Sequence, residues 1–218
     1  MLEKLRKIRP DLLLLLSLLF LILIHPALDN NDLGRFILGT LTFVSVILAT
    51  VRLAELKVRL WPLLLLMLAI LIAFVVDTIS PGQKAAGTEW ALLTLFFGAV
   101  VVRLFSYIKN AQAIEDAHLY TAVSIYLLIG VQWFALYSAI DTFFPGAFID
   151  NISAQTSHQT QLLYFSLVTL ATIGYGDIVP RYGEVRILAA LEGILGVLYV
   201  AITVAILVSS YKRRGGSE

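Results

Sequence analysis

The chain has 218 residues, 59% of them hydrophobic and 14% charged, and a mean hydropathy of +0.88. A soluble domain carries about 25% charged residues, so soluble enzymes, secreted factors and nucleic-acid binders are excluded as readings. The net charge is +1 and cysteine is absent, which removes disulfides, thiolate metal sites and cysteine nucleophiles.

Six apolar stretches follow one another: Leu12–Leu28, Phe36–Leu53, Trp61–Ile79, Trp90–Ile108, Leu119–Ile140 and Ile187–Ser210. Each approaches the roughly 20 residues that cross a bilayer and none alternates with period two, so each predicts a membrane-spanning helix. No small-x-small cleavage site precedes Asp29, so the first stretch reads as a span and not as a signal peptide. A seventh apolar run, Leu162–Ile173, reaches only about 18 Å as a helix, against a hydrocarbon core of about 30 Å. It must enter the membrane and turn back, and irregular backbone at that depth survives only inside protein or beside water.

Charge placement gives the orientation. With the amino terminus inside, Lys4, Arg6, Lys7, Arg9, Arg52, Lys57, Arg59, Arg103, Lys109, Lys212, Arg213 and Arg214 are cytoplasmic. Only Arg35, Lys84, Arg181 and Arg186 are then outside. This bias predicts a multi-pass protein of the cell membrane (plasma or bacterial inner) with both termini cytoplasmic. Trp61 and Trp90 are expected as interfacial anchors, Trp133 as a packed residue, and Asp77 and Glu89 as solvated groups bounding an outer loop. His25, His118 and His158 are expected at ordinary polar boundary positions.

The re-entrant run ends in Thr169-Leu170-Ala171-Thr172-Ile173-Gly174-Tyr175-Gly176-Asp177. Glycine reaches left-handed backbone angles without steric cost, so alternating conformations can aim successive carbonyls in one direction. Four such strands around an axis would stack rings of oxygen able to replace an ion's hydration shell, with a hydroxyl ring from Thr172 at the inner end.

TIGYGD resembles the selectivity filter of the tetrameric potassium channels, whose common form is TVGYG. The resemblance runs from about Leu119 to Tyr211: Tyr164 to Thr169 looks like the pore helix, and Gly196 to Ser210 like the inner helix, with Gly196 at a frequent hinge position. It implies that the carbonyls of Thr172, Ile173, Gly174 and Tyr175 coordinate dehydrated potassium, and that Gly176 and Asp177 form the outer mouth. It further implies that the Tyr175 ring packs against the pore helix, with Tyr164, Phe165, Val168 and Thr169 supporting the filter. Tyr164 and Phe165 stand where the family often has two tryptophans. Phe165 can pack against Tyr175 but cannot donate a hydrogen bond, whereas the Tyr164 hydroxyl can reach Asp177. Val168 replaces a carboxylate that some members place behind the filter.

The expected fold is an all-α integral membrane protein: six transmembrane helices plus a re-entrant pore helix and selectivity filter, assembled as a homotetramer. Residues 1–110 are expected to form a peripheral four-helix domain and residues 111–218 the pore domain, the whole resembling small prokaryotic potassium channels. Arg103 is the only basic residue in the fourth stretch, so the arginine repeat of a voltage sensor is missing and weak or absent voltage gating is expected. Without proline at Thr203-Val204-Ala205, the last helix is expected to run straight. Glu192 and Gly196 are the inner-helix candidates for gating. An intramembrane carboxylate is costly, and Glu192 either lies behind the filter bonded to the pore helix or faces the pore. The expected function is potassium conduction without enzyme activity or cofactor, potassium being the permeant ligand. The alternatives are a weakly selective cation channel and a silent or regulatory channel subunit.

Overall fold

The computed structural model describes residues 10–29, 31–56, 59–111, 115–151 and 157–215, with side chains through Val208. Lys4, Arg6, Lys7, Arg9 and Lys57 lie outside the described residues, as do the side chains of Lys212, Arg213 and Arg214. Among the described residues seven helices follow in order: α1 (Pro10–Leu28), α2 (Asp32–Glu55), α3 (Trp61–Ile79), α4 (Gln83–Lys109), α5 (Asp116–Phe143), α6 (His158–Leu170) and α7 (Gly183–Gly215). All except α6 are long and apolar enough to cross a membrane. The chain is a multi-pass membrane protein.

The helix boundaries follow local chemistry. Asn31 caps α2, its side chain accepting from Gly34 N at 2.7 Å, and Pro62 stands in the first turn of α3. Glu115 and His118 form a capping box at the start of α5. Ser157 caps α6, accepting from Thr160 N at 3.2 Å. Each cap satisfies an amide that the first helical turn leaves without a partner.

α5 is the central element. In its most apolar stretch 67% of residues are buried, against 17% in α7. It packs on α1 and α4 on one side and on α6 on the other, while α7 leans mainly on α6. The first four helices therefore join α5 of the same chain through α1 and α4, with α2 and α3 packed on those two. Bilayer lipid is as apolar as the side chains, so helices associate here through close fit. Gly130 of α5 supplies such a fit, since a Cβ there would come 2.9 Å from Leu167 of α6. Tyr137, Phe148 and Phe165 form an edge-on aromatic cluster with centroids 5.2–5.3 Å apart. α7 is continuous through Thr203 to Gly215. Its outer face leaves Ile187, Leu191, Ile194, Val197, Ile202 and Val204 exposed.

One small sheet interrupts the helical plan. β1 (Phe148–Asp150) pairs antiparallel with β2 (Ile178–Pro180), Ile149 opposite Val179. It ties the segment before α6 to the segment after residue 177. Apolar length and periodicity carry no signal for a pairing of three residues.

Several polar residues differ from expectation. His25 and His118 stand in the end turns of their helices, yet they are buried, at 5% and 7% exposure. His25 Nδ1 lies 3.0 Å from Thr160 Oγ1. His118 accepts from Glu115 N at 3.1 Å and stacks on Tyr107 at 4.8 Å, with Arg52 also placed over that ring. Asp77 bounds the outer loop, accepting from Gly82 N at 3.5 Å, and with Glu89 it also lines a cavity of about 590 Å³ formed by α1 to α6. Trp90 is half-buried and meets Phe134 edge-on at 5.1 Å, because α4 begins seven residues earlier, at Gln83. Trp61 starts α3 exposed and Trp133 packs on Tyr137, both as expected.

Candidate ion-conduction site

α6 ends at Leu170 and the chain turns back through residues 171–177. The first amides after the helix fold onto its last carbonyls. Thr172 N donates to Thr169 O at 2.9 Å, Ile173 N to Val168 O at 2.8 Å and Gly174 N to the same oxygen at 3.3 Å. Backbone φ is positive at Thr172 (56°), Gly174 (53°) and Gly176 (80°), and at neither residue between them. Glycine adopts this conformation freely, whereas Thr172 does so against a steric cost, as non-glycine residues at functional turns do. Alternating φ signs of this kind can turn consecutive peptide units to a common side. The carbonyls of Thr172, Ile173, Gly174 and Tyr175 accept no hydrogen bond among the described residues. A row of oxygens without partners is a poor structural element and a good cation ligand.

Thr172 to Gly176 are exposed in the single chain, Ile173 at 54% and Tyr175 at 69%. A Cβ added at Gly174 or Gly176 would meet nothing within 4 Å. The segment thus lines an open face.

The supports lie behind it. Tyr164 donates from its hydroxyl to Asp177 Oδ2 at 2.7 Å, and Ile178 N donates to Oδ1 at 3.0 Å. Both carboxylate oxygens of Asp177 are therefore held. The rings of Tyr164 and Tyr175 stack, 5° from parallel with centroids 6.4 Å apart. Asn151 holds the outer end, its Nδ2 donating to Gly176 O at 3.2 Å and its backbone N to Asp177 O at 2.8 Å. Val168 contributes its backbone carbonyl, which accepts from Ile173 N and Gly174 N, and its side chain is apolar. Phe165 departs from expectation. It points away from Tyr175 into the cluster with Tyr137 and Phe148, because the helical turn sends positions 164 and 165 to different faces.

Glu192 is bonded to α6 and does not face open space. It is 0% exposed. Ser166 Oγ donates to its Oε1 at 2.6 Å, and the Tyr137 hydroxyl donates to its Oε2 at 2.6 Å. One carboxylate thus joins α5, α6 and α7. Gly196 occupies a close approach: a Cβ there would sit 2.1 Å from Leu170 O. Ser166, Tyr137 and Asn151 were not singled out from the sequence. Only Ser166, a small hydroxyl within the apolar run of α6, carried a signal that could have been used.

Residues 121–213 match the family described as ion channel. Two pore potassium channel a of Oryza sativa subsp. japonica is 38% identical over 82 residues, covering 37% of this chain and 20% of the relative. The A-type voltage-gated potassium channel KCND3 of Rattus norvegicus, and that of Homo sapiens, is 31% identical over 97 residues, covering 43% of this chain and 15% of the relative. The chain thus spans a fifth or less of the length of these curated relatives. No solved structure matches it. The matched span takes in nearly all of α5, then α6, the turned segment and α7, and over it the chain is similar to ion channels, among them these potassium channels.

Proposed function

We propose that this protein is a potassium-selective channel in which four copies place residues 172–175 around one axis. The observation that carries this reading is the division of the backbone at 172–174: amides turned into α6, carbonyls left free on an open face. Four chains would convert that row into stacked oxygen cages matched to a dehydrated monovalent cation. Thr172, Ile173, Gly174 and Tyr175 supply the cages, with Gly176 and Asp177 at the outer mouth. The carboxyl end of α6 carries the negative end of its dipole, which favours a cation beneath the filter. Tyr164, Val168 and Thr169 hold the strand at the spacing the ion requires.

The exposed apolar face of α7 and the exposed Tyr175 ring supply surfaces for neighbouring copies. A closed fourfold assembly is the arrangement that uses one filter strand per chain. In this reading residues 111–218 form the pore domain and residues 1–110 a peripheral bundle. Among the described residues, Arg59, Arg103 and Lys109 are exposed at the end assigned to the cytoplasm. Both termini then face the cytoplasm of a cell membrane.

The test is single-channel recording from purified protein in bilayers with asymmetric potassium and sodium. Steps reversing near the potassium equilibrium potential support the proposal. Steps reversing near zero in opposed equal concentrations would indicate a weakly selective cation pore. Silence from verified tetramers that recover current only with a partner chain would indicate a regulatory subunit.

A further inference from the structure

The first turn of the pore helix is tied to α5, to β1 and to the end of α1. Asp141 of α5 contacts His158 Nε2 at 2.7 Å, and Ser138 of α5 donates to Gln159 at 2.7 Å. Gln161 donates to Asp150 of β1 at 3.0 Å. These three ties stay within the pore-forming half. Two more residues come from the peripheral bundle. Asp29, just past α1, accepts a close hydrogen bond from Ser157 Oγ, and its Oδ2 also accepts from Thr160 Oγ1 at 3.2 Å. With the Thr160 proton given to Asp29, His25 Nδ1–H donates to Thr160 Oγ1 at 3.0 Å. Asp29, His25 and Thr160 are 7%, 5% and 8% exposed.

A buried carboxylate is tolerated only with its hydrogen bonds intact. Asp29 obtains them from Ser157, which is itself the cap of α6, so the end of α1 and the first turn of α6 cannot separate cheaply. The other end of α6 is bonded to the filter amides through Val168 O, and its middle to Asp177 through Tyr164. An α-helix of 13 residues is about 20 Å long and moves as a rod. We propose that Asp29 is a positioning residue through which the peripheral four-helix bundle biases the filter between conducting and non-conducting arrangements. This rests on the channel reading above and gives the first four helices a role that needs no row of gating charges.

The experiment compares wild type with Asp29→Ala, Asp29→Asn and Ser157→Ala, and with the double variant Asp29→Ala/Ser157→Ala, in single-channel recordings and by hydrogen–deuterium exchange over residues 157–177. Asp32→Asn serves as a control, because Asp32 pairs with Arg35 on an exposed surface. Asp29→Ala is expected to shorten open bursts about tenfold, within the usual range for coupling between sites, at unchanged unitary conductance and reversal potential. The double variant should be no worse than the worse single variant. Asp29→Asn keeps an acceptor oxygen and should restore most of the burst length, and Asp32→Asn should resemble wild type. Burst length and exchange rates unchanged in Asp29→Ala would overturn the proposal, as would additive losses in the double variant. If wild type carries no potassium current the channel reading fails separately, and the exchange rates still decide this one: faster exchange at 157–177 in Asp29→Ala supports the tie, and equal exchange removes it.

Discussion

Tyr137 and Glu192 meet oxygen to oxygen at 2.6 Å, joining the most buried of the membrane-crossing helices to one whose apolar stretch is only 17% buried. With Ser166 on the other carboxylate oxygen, and Ser166 Oγ also 2.8 Å from Gly130 O, the contact locks α5, α6 and α7 at one level. Removing Glu192 would leave the buried Tyr137 hydroxyl without its acceptor and Ser166 with Gly130 O alone. Glu192→Ala is therefore expected to cost about 3 kcal/mol per chain, read as thermal stability of the purified assembly. Glu192→Gln can still meet both hydroxyls, one through its amide oxygen and one through its NH2 group, and should cost about 1 kcal/mol. Equal losses in the two variants would show that volume and not hydrogen bonding matters at this position.

Gly196 and Gly193 lie one helical turn apart, and their surroundings separate packing from hinge bending. A Cβ at Gly196 would stand 2.1 Å from the Leu170 carbonyl, a backbone atom that cannot swing aside, whereas at Gly193 the nearest atom, Thr169 O, is at 3.5 Å. Gly196→Ala should push the inner helix off the pore helix and abolish stable assembly. Gly193→Ala should assemble and conduct. A Gly196→Ala protein that assembles normally and changes only its opening rate would favour the hinge reading instead.

The sequence disclosed the elements whose signal is long or chemically peculiar. Six apolar stretches announced six spans because length alone decides whether a helix can cross a bilayer. TIGYGD announced alternating backbone because glycines at 174 and 176 bracket a tyrosine. The matching left-handed turn at Thr172 was hidden, since nothing in a threonine declares a positive φ. Partners distant in sequence were also hidden: Asp29 lies 128 residues from Ser157. Phe165 was placed against Tyr175 by resemblance, yet its helical phase sends it toward Tyr137. Glu89 looked like a loop residue because the apolar run begins at Trp90, while the helix itself begins at Gln83.

Tyr164 contributes a hydrogen bond and a stacked ring to the filter, and the two can be separated. Tyr164→Phe keeps the ring against Tyr175 and removes the 2.7 Å bond to Asp177. The outer mouth should loosen by about 1.5 kcal/mol, seen as entry into a non-conducting state roughly tenfold faster. Potassium over sodium selectivity should persist, because the carbonyls of 172–175 do not depend on that bond. A loss of selectivity with unchanged kinetics would contradict this assignment.

Arg103 is exposed on α4 and is the only basic residue between Lys84 and Lys109. Moving one charge through the whole field is worth about 2.3 kcal/mol per 100 mV, so a single residue near one end of its helix supplies only part of that. Conductance–voltage curves should be shallow, and Arg103→Gln should leave their slope unchanged. A steep curve carrying several charges per chain would require a sensor elsewhere in the peripheral helices.

His158 gives the outer end of the pore helix a pH dependence whose sign can be worked out. The hydrogen bond to Asp141 is the main influence and raises its pKa above the ordinary 6.5, with partial burial opposing. A histidine raised in the folded protein stabilises it fully below the ordinary value, and the contribution fades as pH rises through the raised one. Thermal stability should therefore be greatest at mildly acidic external pH and decline above about 6.5. His158→Gln should flatten that decline, and so should Asp141→Asn, since each removes one half of the pair. Both variants should match wild type most closely at alkaline pH, where the imidazolium is already gone. A decline that survives in both would have to come from a different titrating group.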